Sequence, residues 1–280
     1  MTAIPILKSK PILSQLKHFY DIILRYEWAY RLFLRLKYRV HKPRKYPNAP
    51  WHNAVLKTVE ERDNAIKQVQ EIGLHVFHDL PKNWDSLAAL DCILGKCRSS
   101  DKILDAGAEI YSVILPWLFL YGYTSLQGIN IVFDKTVRRG PIEYRYGDVT
   151  RTAFGDCTFD AITCLSVLEH GVNLVSFFKE MSRVLKTGGL LIVSVDYYPK
   201  IIDSRGQVAY GVPIHIFSKE EMLEAFRIGE SYGLYLTGDI DLDCTEKVVS
   251  WDKFELDYTF VVFTLEKRAD PYVSSSRLRV

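Results

Sequence analysis

No stretch of this 280-residue chain is apolar for long enough to cross a membrane as a helix, which takes about 20 residues. The longest run without charge, 110–133, is broken by Pro116, Gly122, Gln127, Gly128 and Asn130. Its dense apolar part is only Val113 to Tyr121, so it reads as a buried helix, a turn at Gly122 and a strand. The first residues lack an apolar core followed by a small-residue cleavage site, so no secretory leader is expected. Cysteine is sparse: Cys92, Cys97, Cys157, Cys164 and Cys244 are odd in number and scattered, and no pair has C-x-x-C spacing. That argues against a disulfide framework or a zinc site and for a reduced, cytoplasmic setting. The G-x-G-x-x-G fingerprint is missing, which disfavours a nicotinamide-dependent enzyme. There is no internal repeat and no low-complexity tract. The length fits one large domain with an appendage, or two modest ones.

Charge is present but unevenly placed. Residues 1–50 carry a local balance of +9, and the remaining 230 residues one of −7. Arg31, Arg35 and Arg39 recur at i, i+4 and i+8, so a helix would align them as one cationic stripe. Phe19, Tyr20, Tyr26, Trp28, Tyr30, Phe33 and Tyr38 are interleaved with them. The segment 13–40 is expected to form one or two helices. Its aromatic face would pack on the body, cover a cleft or dimer contact, or lie on an anionic membrane. Pro43, Pro47 and Pro50 then end this region as a loop.

Thr58 and Glu61 have the spacing of a capping box before a helix that Gly73 would terminate. A second helix is expected from Asp85 or Ser86 to Cys97. From 102 onward the pattern alternates. Strands are expected at 102–106, 125–131, 142–147, 159–166, 190–196, 233–237 and 258–265, with helices at 172–185 and 219–226. Short buried strands alternating with helices imply βαβ units and a parallel sheet. The last two strands would close it with an antiparallel strand.

The most informative stretch is Ile103-Leu104-Asp105-Ala106-Gly107-Ala108-Glu109. An apolar run ends in an acid, a glycine follows, and a helical pattern comes next. A glycine there lets the backbone approach a ligand. Such a turn at the carboxyl end of a first parallel strand is where doubly wound sheets bind nucleosides. Gly128-Ile129-Asn130-Ile131 closes the second strand, and Gly147-Asp148-Val149 follows the third. Phe159-Asp160-Ala161-Ile162 leads to Ser166-Val167-Leu168-Glu169-His170 at the end of the fourth. The segment Glu180 to Gly189 reads as a helix closed by a Gly188-Gly189 turn that feeds the fifth strand.

With these motifs in this order, residues 84–267 resemble the class I methyltransferases that use S-adenosylmethionine (SAM). The likeness is to the subgroup of quinone-biosynthesis, natural-product and glycan-modifying enzymes. The resemblance implies a Rossmann-like, doubly wound, mostly parallel seven-stranded sheet with an antiparallel last strand. It would follow a helical, basic extension over 1–83 and precede a flexible tail over 269–280. It also implies that SAM is held by Asp105, Gly107, Ala108 and Glu109, by Asn130, by Asp148 and Val149, and by Leu165. His170, at the mouth of the site, is a candidate general base because its pKa lies near neutrality. Glu169 beside it and His215 in the loop beyond the fifth strand are the other catalytic candidates. No metal ligands are assigned, because the spacing of the loop acids and His215 is not diagnostic.

The chain departs from the family pattern at three points. Glu109 and Tyr111 stand where the family has glycines. Asn130 replaces the usual ribose-binding acid; it can accept from a hydroxyl but lacks the charge, unless Asp134 reaches back in its place. A non-catalytic binding or scaffold protein on the same fold is therefore the second reading, and cofactor binding separates the two. The acceptor expected is a small molecule or a glycan sugar, with no nucleic acid. A peripheral membrane contact and a homodimer stay open.

Overall fold

The computed structural model describes residues 19–43, 45–209 and 211–269. Capping chemistry fixes the early helices. After the helix α1 (Glu27–Tyr38), the chain forms a two-residue strand β1 (Ala54–Val55) and the helix α2 (Val59–Ile72). Thr58 accepts from the Glu61 amide, and the Glu61 carboxylate reaches back to the Thr58 amide. Gly73 ends α2 in the left-handed conformation, where a glycine meets no Cβ penalty. The next helix, α3 (Lys82–Lys96), starts three residues before the expected Asp85 and so draws Lys82 into its first turn.

The alternation expected after residue 102 is present. The strands are β2 (Ile103–Ala106), β3 (Leu126–Asn130), β4 (Val137–Arg139), β5 (Ile142–Tyr146), β6 (Phe159–Leu165) and β7 (Leu185–Tyr197). A small hairpin, β8 (Val208–Ala209) and β9 (Val212–Pro213), stands apart from the main sheet. Then follow β10 (Leu234–Leu236), β11 (Val249–Trp251) and β12 (Leu256–Lys267). The helices α4 (Ile114–Leu120), α5 (Leu174–Val184) and α6 (Lys219–Ser231) lie between them.

The sheet runs β1-β12-β7-β6-β2-β3-β5-β4. Pairing is parallel from β7 through β6, β2 and β3 to β5. The long β12 is antiparallel to β7. All seven expected strands are found, and β1, β4 and β11 add three short ones. Because β3 and β5 lie on one side of β2 and β6 and β7 on the other, the chain reverses direction across β2. That reversal opens a crevice at the carboxyl ends of β2 and β6. Successive residues of the central strands alternate between two apolar layers. One layer packs against α2, α3 and α4, the other against α5 and α6.

Three details differ from the sequence reading. First, α6 extends to Ser231 rather than 226. Second, α5 ends at Val184 with the extended Leu185, so Gly188-Gly189 does not cap it. The glycines sit in an irregularity where β7 skips past β6 between Leu185 and Leu190, and Gly188 takes φ +76° there. Third, the 83/84 position falls inside α3, and β1 pairs with β12. The segment from Ala54 onward is thus woven into the sheet rather than appended to it. Of the basic arm, residues 13–18 lie outside the described residues, as do residues 270–280 of the tail. The described part docks on the body: Leu34 is buried and Tyr30 stacks on Phe119 at 5.6 Å. Asp21 also pairs with Arg139 at 2.7 Å.

Candidate functional site

A cavity of about 830 Å³ opens at the carboxyl ends of β2, β3, β6 and β7. That is the size range of small-molecule sites, about 300–1,000 Å³. It has two ends. The first is built on the turn after β2. Gly107 has φ +97°, and a Cβ there would meet Val167 at 2.3 Å. The turn is pinned by the Gly107 amide donating to Ile129 O at 2.8 Å. Asp105, just before it, is buried and accepts from Thr163 Oγ1 at 2.8 Å. Burial, and less so the Asp85 charge, lifts its pKa to about 7. Glu109 also faces the cavity, its carboxyl pushed up by burial. Its neighbour Tyr111 stacks on Phe77 at 6.2 Å, so the two side chains that replace glycines narrow this end.

Asn130 lines the cavity, and both halves of its amide are engaged within the protein. Its Nδ2 donates to Gly107 O at 3.0 Å, and its Oδ1 accepts from the Val132 amide at 3.2 Å. The side chain ties the end of β3 to the turn after β2. Asp134 is exposed and does not line the cavity, so it does not replace the missing acid. Exposed Ile131 and Val132 supply an apolar wall instead. Asp148 lines the cavity next to Val149; its Oδ1 accepts from the amide and the hydroxyl of Thr150 at 2.8 and 2.7 Å. Leu165 also faces in, whereas Ala108 is buried against Gly128 and does not line the space.

The second end is a cluster of carboxyl groups drawn from distant elements. Glu169 comes from the single helical turn 168–170 after β6, and Asp196 from the end of β7. Asp85 comes from the first turn of α3, and Asp79 from just before it. Asp85 accepts from Ser194 Oγ at 2.5 Å. Burial raises its pKa to about 6, against the lowering effect of that bond and of Lys82. Asp196 is raised to about 7, again by burial, while Lys82 and the Tyr258 hydroxyl favour its charged form. Glu169 is also raised, by burial and then by the Asp196 charge. The Asp196 charge thus favours the neutral form of the Glu169 carboxyl. Lys82 is the cation in their midst. Burial disfavours its charge, but Asp79, Glu169, Asp196 and Asp85 together raise its pKa.

Two polar atoms here have no partner among the described residues: Glu169 Oε2 and Ser166 Oγ. Glu169 is 2% exposed, and both residues line the cavity. Ser166 also takes φ +54°, a left-handed conformation that a serine adopts under constraint. Unsatisfied buried groups at a strained strand end point to a ligand that completes them. His170 lines the cavity too; burial, and then the Lys82 charge, lower its pKa, which keeps its ring neutral.

His215 does not belong to this cavity. It lines a separate depression with Leu168, Phe217 and Glu221. Its ring packs edge-on against Phe217 and its Nε2 lies 3.2 Å from Glu221. It follows the fifth parallel strand in sequence, but the bridge of Phe217 to Tyr197 turns it away. Among the described residues, no group of His, Cys, Asp and Glu side chains has the arrangement of a metal site.

Known proteins match this chain over its core. A methyltransferase domain family model matches residues 123–193. The ubiquinone/menaquinone biosynthesis C-methyltransferase UbiE of Klebsiella pneumoniae (strain 342) is 27% identical over 193 residues, 60% of this chain and 75% of that protein. The demethylmenaquinone methyltransferase of Beutenbergia cavernae is 30% identical over 105 residues, 38% of this chain and 39% of that protein. Among solved structures, phosphoethanolamine N-methyltransferase 2 of Haemonchus contortus, with phosphomonomethylethanolamine and S-adenosylhomocysteine, shares the fold. Its TM-score is 0.50 at 15% identity, covering 74% of this chain and 58% of that one.

Proposed function

Since this chain belongs to the class I SAM-dependent methyltransferases, we propose that it methylates a small polar acceptor through a hydroxyl or amine whose proton passes to the Glu169–Asp196 pair. The observation that carries this reading is the joining of two ends in one cavity, a glycine turn beside buried Asp105 and a carboxyl cluster with orphaned polar atoms.

The residues fit SAM at the first end. The cavity is large enough, and Gly107, Asp105, Glu109 and Asp148 all line it at this end. Asp105 and Glu109 would hold the ammonium group. Asp148 and the Val149 backbone would face the adenine, with Ile131, Val132 and Leu165 against its apolar faces. Asn130 serves by bracing the turn. Bound there, SAM supplies a methyl group already activated by its sulfonium, so the protein mainly aligns the acceptor and excludes water. At the second end, Asp196 and Glu169 accept the proton that the acceptor sheds. Tyr258 and Lys82 hold the Asp196 carboxyl, and the Ser166 hydroxyl would orient the acceptor's polar groups by hydrogen bonds beside the His170 ring. Two relatives are by name a ubiquinone/menaquinone biosynthesis C-methyltransferase and a demethylmenaquinone methyltransferase, which supports a small-molecule acceptor; a glycan sugar would likewise offer hydroxyl groups.

A thermal-shift titration tests the cofactor, and a labelled-methyl assay over hydroxyl- and amine-bearing compounds tests the acceptor class. SAM and S-adenosylhomocysteine should each raise the melting temperature, and NAD should not. At 100 times the dissociation constant a ligand adds about 2.7 kcal/mol. No response to either sulfur ligand at saturating concentration would overturn the site. Methyl transfer to compounds without an exchangeable proton, with none to hydroxyls or amines, would overturn the proton-accepting role.

A further inference from the structure

The helix α1 carries two apolar faces. The inward face, with Ala29, Tyr30 and Leu34, is buried against the body. The outward face is not covered: Trp28 is 67% exposed, Leu32 47% and Leu36 73%. Spaced at i, i+4 and i+8, these three form one ridge along the helix. At 3.6 residues per turn, Arg35 falls beside that ridge and Arg31 at its edge, with Arg31 held over the Phe119 ring at 4.3 Å. The segment before α1 adds exposed Phe19, Arg25 and Tyr26. Residues 1–50 contain only two acids, and one of them, Asp21, is engaged by Arg139. Surface apolar residues are ordinary when single. A ridge of three, rimmed by arginines on a helix locked to the body, is not.

This face has the chemistry of an interfacial helix: an aromatic and two leucines for the acyl boundary, and guanidinium groups for anionic headgroups. No helix among the described residues is long and apolar enough to cross a membrane, so contact of this kind stays peripheral. The opposite signs of the arm and the rest of the chain, +9 against −7, select both the partner and the orientation. An anionic surface attracts the arm and repels the body. We propose that the outward face of α1 docks on an anionic lipid bilayer. This inference is independent of the methyl-transfer reading, because it uses none of the cavity residues.

The test is co-sedimentation of the full chain with phosphatidylcholine vesicles, with and without phosphatidylglycerol, at low and high salt. The chain is expected to pellet with the anionic vesicles at low salt and to stay in solution with neutral ones. Combined Trp28→Ser, Leu32→Ser and Leu36→Ser changes lie on the solvent face and should leave the melting temperature unchanged while abolishing pelleting. Arg35→Gln should weaken the partition about fivefold, the equivalent of ~1 kcal/mol for one charge at such a surface. Three outcomes overturn the proposal. The first is a full chain that stays in solution with anionic vesicles at low salt. The second is a triple variant that pellets as the parent does. The third is a parent that dimerises through this face, with the triple variant monomeric and neither binding vesicles.

Discussion

Asn130 illustrates how a single side chain changes role with its surroundings. Both halves of its amide are used, Nδ2 toward Gly107 O and Oδ1 toward the Val132 amide. An aspartate would keep the second contact and set an oxygen against the Gly107 carbonyl in place of the first. Asn130→Asp should therefore loosen the turn, lowering stability by about 1–3 kcal/mol, with no gain in affinity for S-adenosylhomocysteine. Calorimetry showing tighter binding at unchanged stability would contradict this. Gly107 is constrained twice, by its positive φ and by Val167. Gly107→Ala is expected to destabilise by about 1–3 kcal/mol and to shift the turn away from cofactor geometry, seen as a lower melting temperature and weaker binding together. The motif residues Asp105, Gly107, Glu109, Asp148, Leu165, Glu169 and His170 were legible because each ends or follows a strand within one short segment, and all line the cavity. His215 misled because chain position after a strand says nothing of which way the next residues turn. The strain at Ser166 left no mark in the sequence, since serine does not announce a positive φ.

At the scale of elements, the carboxyl end of the cavity is assembled by β6, β7, β12, α3 and the loop before it. These come from separate stretches of the sequence, so the cluster was not legible as a motif. The available signal was Asp85 inside an apolar helix, in line with buried Ala89 and Ile93 on the face that meets the sheet. That convergence has a consequence for stability against pH. Asp85, Asp105 and Asp196 hold protons up to about pH 6, 7 and 7 when folded, whereas an unfolded aspartate releases its proton near ~3.9. Between those values the unfolded chain binds fewer protons, so stability contributed by these groups falls as pH rises and stays low above their folded pKa. His75, lowered to about 4 by burial and by Lys37, works in the opposite sense over part of the range. The informative quantity is thus a difference. Asp196 is faced by Lys82, Asp79, Asp85, Glu169 and Tyr258. Asp196→Asn should make the change in melting temperature from pH 5 to pH 8 less unfavourable than in the parent. It should also retain S-adenosylhomocysteine binding and slow methyl transfer. An identical pH response in parent and variant would show that Asp196 is already ionised at pH 5.

Across the whole molecule, alternation of short apolar strands with helices was enough to give the sheet, because buried parallel strands and amphipathic helices have different periods. The charge asymmetry was equally plain in the composition. Which face of the arm meets the body was not, since its aromatic residues occur on both sides of α1. The sheet also has a history written into its order. The outer edge of β12 is shared by β11, β1 and β10, while its inner edge lies on β7. A strand from residues 54–55 is therefore joined to the sheet through β12, opposite residues 261–262. During synthesis the amino-terminal third emerges first, yet its place in the sheet does not exist until some two hundred further residues have left the ribosome. The early helices must wait with their apolar faces uncovered, and β12 acts as a latch that closes the first part of the chain onto the last. Refolding from denaturant should be slow for the same reason, because the decisive contact joins segments so far apart.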